Sequence, residues 1–336
     1  MRNFYLGSKI ELKELTRFIV SSISIYFNDL IYVFLKHSIN GMLRLSAILL
    51  FTIGLSVSAQ SQVVNGYAEV TGIAGTTLSV ANVDETGDTF DVGDEIIIMQ
   101  MQDDVIGSTT DDPTFGDLGS IQSAGLYEIV TIVSRIPAAG TPTSITISAP
   151  TNTYNVGANS LVQIITFPTL GSPDYTTTAD IIAKAWDGTT GGVVAFKVSG
   201  VLTLANNISA DNAGFRGAAA NSDNNSDNCN STDYFVNSQD WYGDKGEGIY
   251  KVTNANYAAG KGKILNGGGG GNSHNGGGGG GGNYSIGGLG GPGWSTGGEC
   301  DPSAGGLGGV SLASNISSSQ IFMGGGGGSG EGNNGG

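Results

Sequence analysis

The feature that most constrains the fold is the stretch from Gly260 to Gly336, in which glycine is by far the commonest residue. It holds three uninterrupted runs, Gly267–Gly271, Gly276–Gly282 and Gly324–Gly328, separated by the polar segment NSHN and by longer returns. Because glycine loses more backbone entropy on ordering than any other residue, an isolated run of this kind should be disordered. Order in this region therefore requires that the runs pack against a partner.

The runs can supply that partner for one another. Extended helices with three residues per turn rise about 3.1 Å per residue, and no side chain keeps such glycine backbones apart. Lateral hydrogen bonds between the runs then become possible. We therefore predict that 260–336 is a glycine-rich, polyglycine-helix layer, with Phe322 and Met323 as an apolar anchor entering it.

Residues 60–170 predict a small all-β domain. Six segments rich in Val, Ile, Thr and Tyr are separated by Gly, Pro, Asn and Asp, and none has a sustained helical period. The six segments are GYAEVTG, TTLSVANV, DEIIIMQMQ, GLYEIVTIVSRI, TSITISA and NSLVQIITF. Glu95–Met99 is apolar on both faces, which predicts that it lies centrally in its sheet, and the same position is predicted for Ile129–Val133. A β-barrel and a β-sandwich both remain open at this point.

The next part of the chain predicts a different β architecture. Residues 171–185 have the composition of a connection. In 186–259 short apolar segments are broken at Gly200, Asn206 and Asn207, and a long polar loop follows. Short strands with corners that tolerate a positive φ suit the coils of a parallel β-helix or solenoid. The expected fold class is therefore all-β: a small barrel or sandwich, a solenoid-like segment and a glycine-rich layer.

Residues 42–59 have the order of a secretory signal peptide. Arg44 is followed by an apolar run, Leu45–Val57, and by the small residues that precede a cleavage position after Ala59. The apolar run is short for a membrane span. We therefore expect a secreted, extracellular and cell-surface-associated protein whose leader engages the secretion machinery.

The segment before Met42, 1–41, is predicted to be an over-called N-terminal extension, the alternative being a genuine helix over Phe18–Leu35. In either case the leader lies outside the fold. Without the segment 1–59 the chain keeps 8 basic and 26 acidic residues, a net charge of −18. This acidic balance opposes phosphate contacts and excludes nucleic acid as the expected partner.

The exported part contains two cysteines, Cys229 and Cys300. In an oxidising compartment they are a disulfide candidate, and closing a loop of about 70 residues would contribute roughly 4 kcal/mol. The alternative is two separate thiols. With two cysteines and one histidine in this part, a four-ligand zinc site is not expected.

Two acidic loops are candidate calcium sites, because oxygen-rich loops of secreted proteins bind Ca²⁺. The second begins as a D-x-N-x-D calcium loop but has Asn228 in place of the required glycine and Tyr234 in place of the bidentate glutamate. Solvated turns that use Asp and Asn side chains are the alternative interpretation. No other cofactor is expected. The candidate ligands are Asp103, Asp104, Asp111, Asp112, Asp117, Asp223 and Asp227.

The sequence contains no convincing catalytic constellation, and we expect no enzyme. His274 is the one histidine of the exported part, so any Ser-His-Asp arrangement depends on it alone. Trp241, Tyr242, Tyr250 and Tyr257 either stack on sugar rings or pack at the edge of a rung or loop. The alternative function is a carbohydrate-binding or carbohydrate-active protein on a β-helix scaffold, with acids from 103–117 or 223–247 in its site.

Three segments carry a family resemblance: FDVGDEIIIMQMQ, SAGLYEIVTIVSRI and AWDGTTGGVVAFKVSGVLTLANNISADNAGFRGA, which leads towards the glycine runs. Together they resemble the N-terminal part of very large, gliding-motility-associated, adhesin-like surface proteins of Bacteroidota, over roughly 62–336. The resemblance implies export, surface display and a structural or adhesive role towards an extracellular surface or glycan, with no catalytic residues to carry over. Such proteins continue to a C-terminal sorting domain, so we expect this chain to be a fragment. In composition, the glycine region is similar to the glycine-rich domain of anaplastic-lymphoma-kinase-type receptors, where parallel polyglycine helices pack together.

Overall fold

The computed structural model describes residues 60–103, 106–220, 232–238, 242–272, 274–295, 298–299 and 304–331. This part of the chain is all-β: it has no α-helix, and the 3-10 turns Ala255–Tyr257 and Ala313–Asn315 are short. Within it, no helix has the length and apolar character needed to cross a membrane. The signal peptide, the N-terminal extension and both cysteines lie outside the described residues.

Six long strands follow the six predicted segments. They are β1 (Tyr67–Ala74), β2 (Thr77–Asp84), β3 (Glu95–Gln102), β4 (Tyr127–Ile136), β5 (Ser144–Ile147) and β6 (Leu161–Thr166). All their pairings are antiparallel, and the order β1-β2-β5-β4-β3-β6 closes on itself because β6 also pairs with β1. Of the two architectures that the sequence left open, the protein has the closed barrel. Closure removes the unpaired edges that a sandwich would leave.

The barrel interior is built by strict alternation along the strands. Every strand contributes two apolar side chains at positions i and i+2, and Phe90 and Tyr154 complete the core. The strand residues are Ala68, Val70, Leu78, Val80, Ile96, Ile98, Val130, Ile132, Ile145, Ile147, Val162 and Ile164. Burying a Val, Leu or Ile side chain contributes about 1.5–3 kcal/mol, so the barrel has a substantial core of its own.

Strands β3 and β6 are covered on their outer face as well. Ile97, Met99 and Met101 of β3, with Leu161 and Ile165 of β6, enter a second hydrophobic core. This core is completed by later residues, among them Trp186, Phe215, Ile249, Tyr250, Ile264, Leu265, Leu312 and Met323. The prediction that Glu95–Met99 lies centrally in its sheet is confirmed, since β3 pairs with both β4 and β6. The barrel and the glycine-rich part share this core, and Ala59–Gly336 forms one compact unit.

The prediction of a central position is also confirmed for Ile129–Val133. The strand is central, since β4 pairs with both β3 and β5, and Val130 and Ile132 are buried in the barrel. However, Ile129 and Val133 are exposed on the outer face. An apolar run indicates that a strand suits burial on both faces, but burial also requires another part of the chain to cover the strand.

Two buried glutamines attach the later chain to the barrel. The side-chain amide of Gln102 donates to the carbonyl of Gly248 at 2.7 Å. The amide of Gln163 donates to the carbonyl of Gly191 at 2.9 Å and accepts from the Gly191 N–H at 2.9 Å. Because buried amides are costly when unpaired, these bonds fix where the later segments can lie on β3 and β6.

After the barrel the strands are very short. β7 (Tyr175–Thr176) pairs in parallel with β9 (Leu202–Thr203), and β8 (Ile181–Ile182) pairs in parallel with β10 (Ile208–Ser209). The partners have the same separation along the sequence in both pairs. Segment 171–185, predicted as a connection, thus contains two strands. A pair of residues is too short to be distinguished from a loop by its pattern.

The last two strands form a small antiparallel hairpin, β11 (Trp294–Ser295) with β12 (Gly298–Glu299). The remaining described glycine-rich chain contains no strand. Its backbone groups nonetheless make many hydrogen bonds. These bonds hold some segments in the interior of the region and leave another segment at its surface.

Candidate functional site

The acids of the first calcium candidate loop do not converge. Asp103 is buried at the end of the barrel, where its carboxylate accepts from the Ser123 N–H at 2.9 Å, the Ser160 hydroxyl at 2.9 Å and the Asn155 amide at 3.1 Å. Asp104 lies outside the described residues. Asp103 is therefore held in a protein hydrogen-bond network that joins loops to the barrel.

The other three acids of this loop point to different partners. Asp111 accepts from the Tyr234 N–H at 2.8 Å, Asp112 accepts from the Thr114 N–H at 2.8 Å, and Asp117 forms an ion pair with Lys263 at 2.5 Å. Among the described residues, no group of three or more His, Cys, Asp or Glu side chains is placed to hold a metal ion. Asp223 and Asp227 lie outside the described residues, as do Cys229 and Cys300, so those predictions stay predictions.

The aromatic residues proposed for sugar stacking are largely engaged in packing. Tyr250 is buried in the second core, which makes the stacking interpretation wrong for this residue. The ring of Tyr257 packs edge-on against Phe115 and Phe235, with centroids 5.1 and 5.2 Å away. Tyr242 is half-buried and donates its hydroxyl hydrogen bond to Asp233. Trp241 lies outside the described residues.

The buried ammonium group of Lys245 holds together the backbone segments at the start of the glycine-rich region. Lys245 donates to three backbone carbonyls, those of Tyr234 at 2.6 Å, Gly260 at 2.7 Å and Gly262 at 2.5 Å. Burial lowers the pKa of Lys245 well below its ordinary value; the carboxylate of Asp111 opposes this shift, and nearby Lys263 adds to it. Since all three donors of the ammonium group are used within the protein, its role is to hold these backbones together.

A polar cleft of about 640 Å³ opens beside the barrel. It is lined by Asp88, Gly93, Asp94, Glu95, Thr131, Phe167, Pro168, Thr169 and Lys197. Lys197 pairs with Glu95 and lies 5.4 Å from the centre of the Phe167 ring. Partial burial raises the pKa of Asp94, and the negative charges of Asp91 and Asp88 raise it further. A carboxyl group with a perturbed pKa in a cleft marks a candidate functional site.

The glycine-rich region forms a hydrogen-bonded array. We use the name glycine array for residues 266–271, 276–282, 286–291, 305–310 and 324–329. Residues 276–282 lie in the middle and exchange backbone hydrogen bonds of 2.7–3.0 Å with each of the other four segments. With every neighbour the bond recurs three residues further along. The eight bonds are Gly277 N to Gly291 O, Gly280 N to Gly288 O, Gly279 N to Gly269 O, Gly282 N to Asn266 O, Gly306 N to Gly277 O, Gly309 N to Gly280 O, Gly328 N to Gly279 O and Gly325 N to Gly282 O.

Close approach of backbones explains why these positions are glycine. None of the residues in the runs 267–271, 276–282 and 324–328 has its φ in the left-handed region, so the backbone conformation alone would accept another residue. A Cβ atom added at Gly278, Gly279 or Gly281 would instead overlap the carbonyl oxygen of a neighbouring segment, well inside the 3.0 Å that real Cβ contacts respect. Gly278 and Gly281 meet the segment 324–329, and Gly279 meets the segment 305–310. Glycine is required here by packing.

The outermost segment of the array exposes large apolar side chains. We call residues 284–294 the outer strip; its sequence is YSIGGLGGPGW. Gly287 and Gly290 face the array, where a Cβ would overlap the carbonyl oxygens of Gly280 and Gly277. The apolar side chains that alternate with these glycines are exposed to solvent: Tyr284, Ile286, Leu289 and Trp294.

Comparison with protein-family models, with curated proteins and with solved structures finds no match for this chain. A functional proposal must therefore start from the geometry of this chain. Three features are available for it: the glycine array, the outer strip and the acidic cleft.

Sequence reasoning missed two of these features. No local motif predicts the cleft, because its lining residues come from three separate parts of the chain. These parts lie near 88–95, at 131 and between 167 and 197. The outer strip has a local signal, the repeat of one apolar residue and two glycines in IGGLGGPG. Reading that spacing as a three-residue period would have placed Ile286 and Leu289 on one side of an extended helix.

Proposed function

We propose that this protein is exported and acts at the cell surface as a structural, adhesin-like protein, by contact and not by catalysis. The observation that carries the proposal is an uncharged apolar strip held at the surface of a hydrogen-bonded glycine array. An array of this kind fixes the spacing of the side chains it displays, which is useful for repeated weak contacts to a surface. The predicted signal peptide at 42–59 and the resemblance to surface adhesins support the same function.

The glycine array also supports the finer fold proposed for this region, a layer of extended three-fold helices. Backbone hydrogen bonds that recur every third residue are what helices with three residues per turn would make. The parallel pairs β7–β9 and β8–β10, with their common offset along the sequence, support a short solenoid-like stack before this layer. Both elements would leave few backbone groups of the scaffold unpaired.

Surface display is tested in the organism that makes the protein. Intact cells are treated with a protease that does not enter them, and the protein is followed by immunoblot beside a cytoplasmic marker. We expect the protein to be cleaved or released while the marker stays intact. A protein that is protected in intact cells and cleaved only after lysis would refute surface display.

The absence of catalysis is tested separately with the purified chain. A glycan array is combined with a reducing-sugar assay on the polysaccharides that bind. Binding without release of reducing ends is the expected result for an adhesin-like protein. Turnover of any polysaccharide would overturn the non-catalytic part of the proposal.

A second candidate function is carbohydrate binding or carbohydrate hydrolysis in the acidic cleft. The observation that favours it is the raised pKa of Asp94 in a cleft that also contains Asp88, Glu95 and the Phe167 ring. Glycosidases use a pair of carboxyl groups that flank the bond to be cleaved, one of them with a raised pKa. This cleft differs from both acidic loops that the sequence suggested.

The second candidate is tested with Asp94→Asn, with Asp211→Asn on an exposed turn as the control. If the cleft binds or cleaves a glycan, Asp94→Asn should lower binding or turnover at least tenfold, and Asp211→Asn should leave both unchanged. Equal behaviour of the two variants on every glycan that the native chain recognises would exclude the cleft.

A further inference from the structure

The outer strip is the most exposed apolar surface of the glycine array. Tyr284, Ile286, Leu289 and Trp294 expose 75%, 74%, 77% and 47% of their surface. They lie on a single segment of eleven residues, and Ile286 and Leu289, three residues apart, lie on the same side of an extended three-fold helix. Contiguous apolar patches of this kind mark interaction sites in soluble proteins, whereas scattered single residues do not.

Two glycines in the strip have no explanation within one copy of the chain. Most glycines of the array are required because a Cβ would overlap a neighbouring backbone, and glycines such as Gly75 are required by a positive φ. Gly288 and Gly291 meet neither condition, since their φ is outside the left-handed region and an added Cβ would have no neighbour within 4 Å. Both are exposed and lie close to Leu289 in the sequence. They leave room for another backbone on the open side of the strip.

The charge distribution indicates what can approach this side. From Ile264 to Gly298 the sequence contains no Asp, Glu, Lys or Arg, and the same is true from Pro302 to Gly330. The chain as a whole has a formal net charge of −15. Two copies would repel each other through their acidic faces, whereas the outer strip itself has no charged side chain; Glu299, which pairs with Trp294 through the backbone, lies beside its end.

We propose that two copies of this chain associate through the outer strip, segment against segment, about a two-fold axis. The array already contains the backbone contact that this requires. Residues 277–280 and 288–291 run antiparallel and are joined by the bonds from Gly277 N to Gly291 O at 2.9 Å and from Gly280 N to Gly288 O at 2.8 Å. An antiparallel pair of identical segments satisfies two-fold symmetry and closes at a dimer.

The size of the strip sets the expected affinity. At their observed exposures the four apolar side chains offer roughly 500 Å² per copy, and about 1,000 Å² in total is the lower limit for a specific interface. The dimer should therefore be weak, with a Kd on the order of 10 µM. The proposal concerns the purified chain in solution, and it holds whether or not the protein is displayed on a cell.

Sedimentation equilibrium of the full chain from about 1 to 200 µM tests the proposal. We expect a monomer–dimer equilibrium in which Ile286→Asp and Leu289→Asp each raise the Kd at least tenfold. Ile136→Asp is the matched control, because Ile136 is also a largely exposed isoleucine but lies on the barrel. Unchanged circular dichroism and Tm at low concentration show that the variants are folded. A native chain that stays strictly monomeric at the highest concentration overturns the proposal.

Gly288→Ala and Gly291→Ala test the backbone contact itself. The added methyl group meets nothing in the monomer, so the monomer's Tm should stay the same or rise slightly. Across a close backbone contact the methyl group holds the two segments apart, and the Kd should rise at least tenfold. If the aspartate variants weaken the dimer and both alanine variants do not, the segment-to-segment contact is wrong. A monomeric chain that binds intact cells through Leu289 would assign the strip to another partner and also overturn the proposal.

Discussion

Replacing Gly281 with alanine tests whether the glycine array is held by close backbone packing. A Cβ at this position would lie 1.9 Å from the carbonyl oxygen of Gly325, far inside the 3.0 Å limit. A backbone carbonyl cannot rotate away as a flexible side chain can, so the segments 276–282 and 324–329 would have to separate. Two hydrogen bonds join them at this point, from Gly325 N to Gly282 O at 2.9 Å and from Gly328 N to Gly279 O at 2.8 Å.

The size of the effect follows from three contributions. Loss of two backbone hydrogen bonds costs about 1 kcal/mol each, and overpacking a close contact costs about 1–3 kcal/mol. Against this, alanine restricts the unfolded chain and stabilises the protein by about 0.4–1 kcal/mol. The Gly281→Ala variant should therefore unfold with a free energy about 2–4 kcal/mol lower than that of the native chain.

The matched control is Gly324→Ala in another glycine run. An added Cβ there has no neighbour within 4 Å, and the φ of Gly324 is outside the left-handed region. Only the effect on the unfolded chain remains, and the control should be about 0.4–1 kcal/mol more stable than the native chain. Equilibrium unfolding in guanidinium chloride, followed by circular dichroism at a concentration where the chain is monomeric, measures both variants. If Gly281→Ala is as stable as Gly324→Ala, the close-packing argument is refuted.

Three further predictions concern ionisable groups. Burial raises the pKa of Tyr67 to about 12, so the stability should fall by about 2–3 kcal/mol as the pH rises from 10 to 12, and Tyr67→Phe should remove this loss. Denaturant unfolding of both chains at each pH measures the difference. Lys245→Met should lower the free energy of unfolding by about 3–5 kcal/mol because three buried carbonyls lose their donor. Lys251→Met is the control and should change the free energy of unfolding by less than about 0.5 kcal/mol. Denaturant titration measures both variants. Burial alone would raise the pKa of Asp187, but hydrogen bonds from two threonines and Lys184 hold it below its usual 3.8. The stability from Asp187 is therefore present above about pH 4 and lost as the pH falls further, and Asp187→Asn should flatten the acid limb of a plot of stability against pH.

The strands of the barrel could be predicted because each carries its own signal. Alternating apolar residues bounded by Gly, Pro, Asn and Asp place β1 to β6 where the structure has them. The order of the strands could not be predicted in the same way. β6 closes the barrel between β3 and β1, and these pairings join residues far apart in the sequence, such as Tyr67 with Ile165. The sequence pattern of one strand does not show with which distant strand it pairs.

The candidate calcium ligands show a similar limit. An acidic loop indicates oxygen ligands, but a metal site requires their oxygens to converge on one point. Asp112 instead accepts a hydrogen bond within its own turn, and Asp117 pairs with Lys263. Asp103 accepts a hydrogen bond from Ser160 at the end of the barrel. The partners of Asp103 and Asp117 lie far along the chain from the loop itself, so no local spacing could reveal them.

Glycine itself has several physical meanings here, and composition alone does not separate them. Gly75 occupies a turn that needs a positive φ, and Gly281 occupies a position where a neighbouring backbone leaves no room for a Cβ. At Gly288 neither reason applies within one copy of the chain. An inner segment of the array is surrounded by other segments, so its glycines are explained by neighbours in the same chain. On an outer segment, the same three-residue spacing of glycine and apolar side chains faces solvent. Gly287 and Gly290 are needed to pack this segment on the array, but Gly288 is not needed to fold one copy, so its function is best sought in contacts made outside that copy.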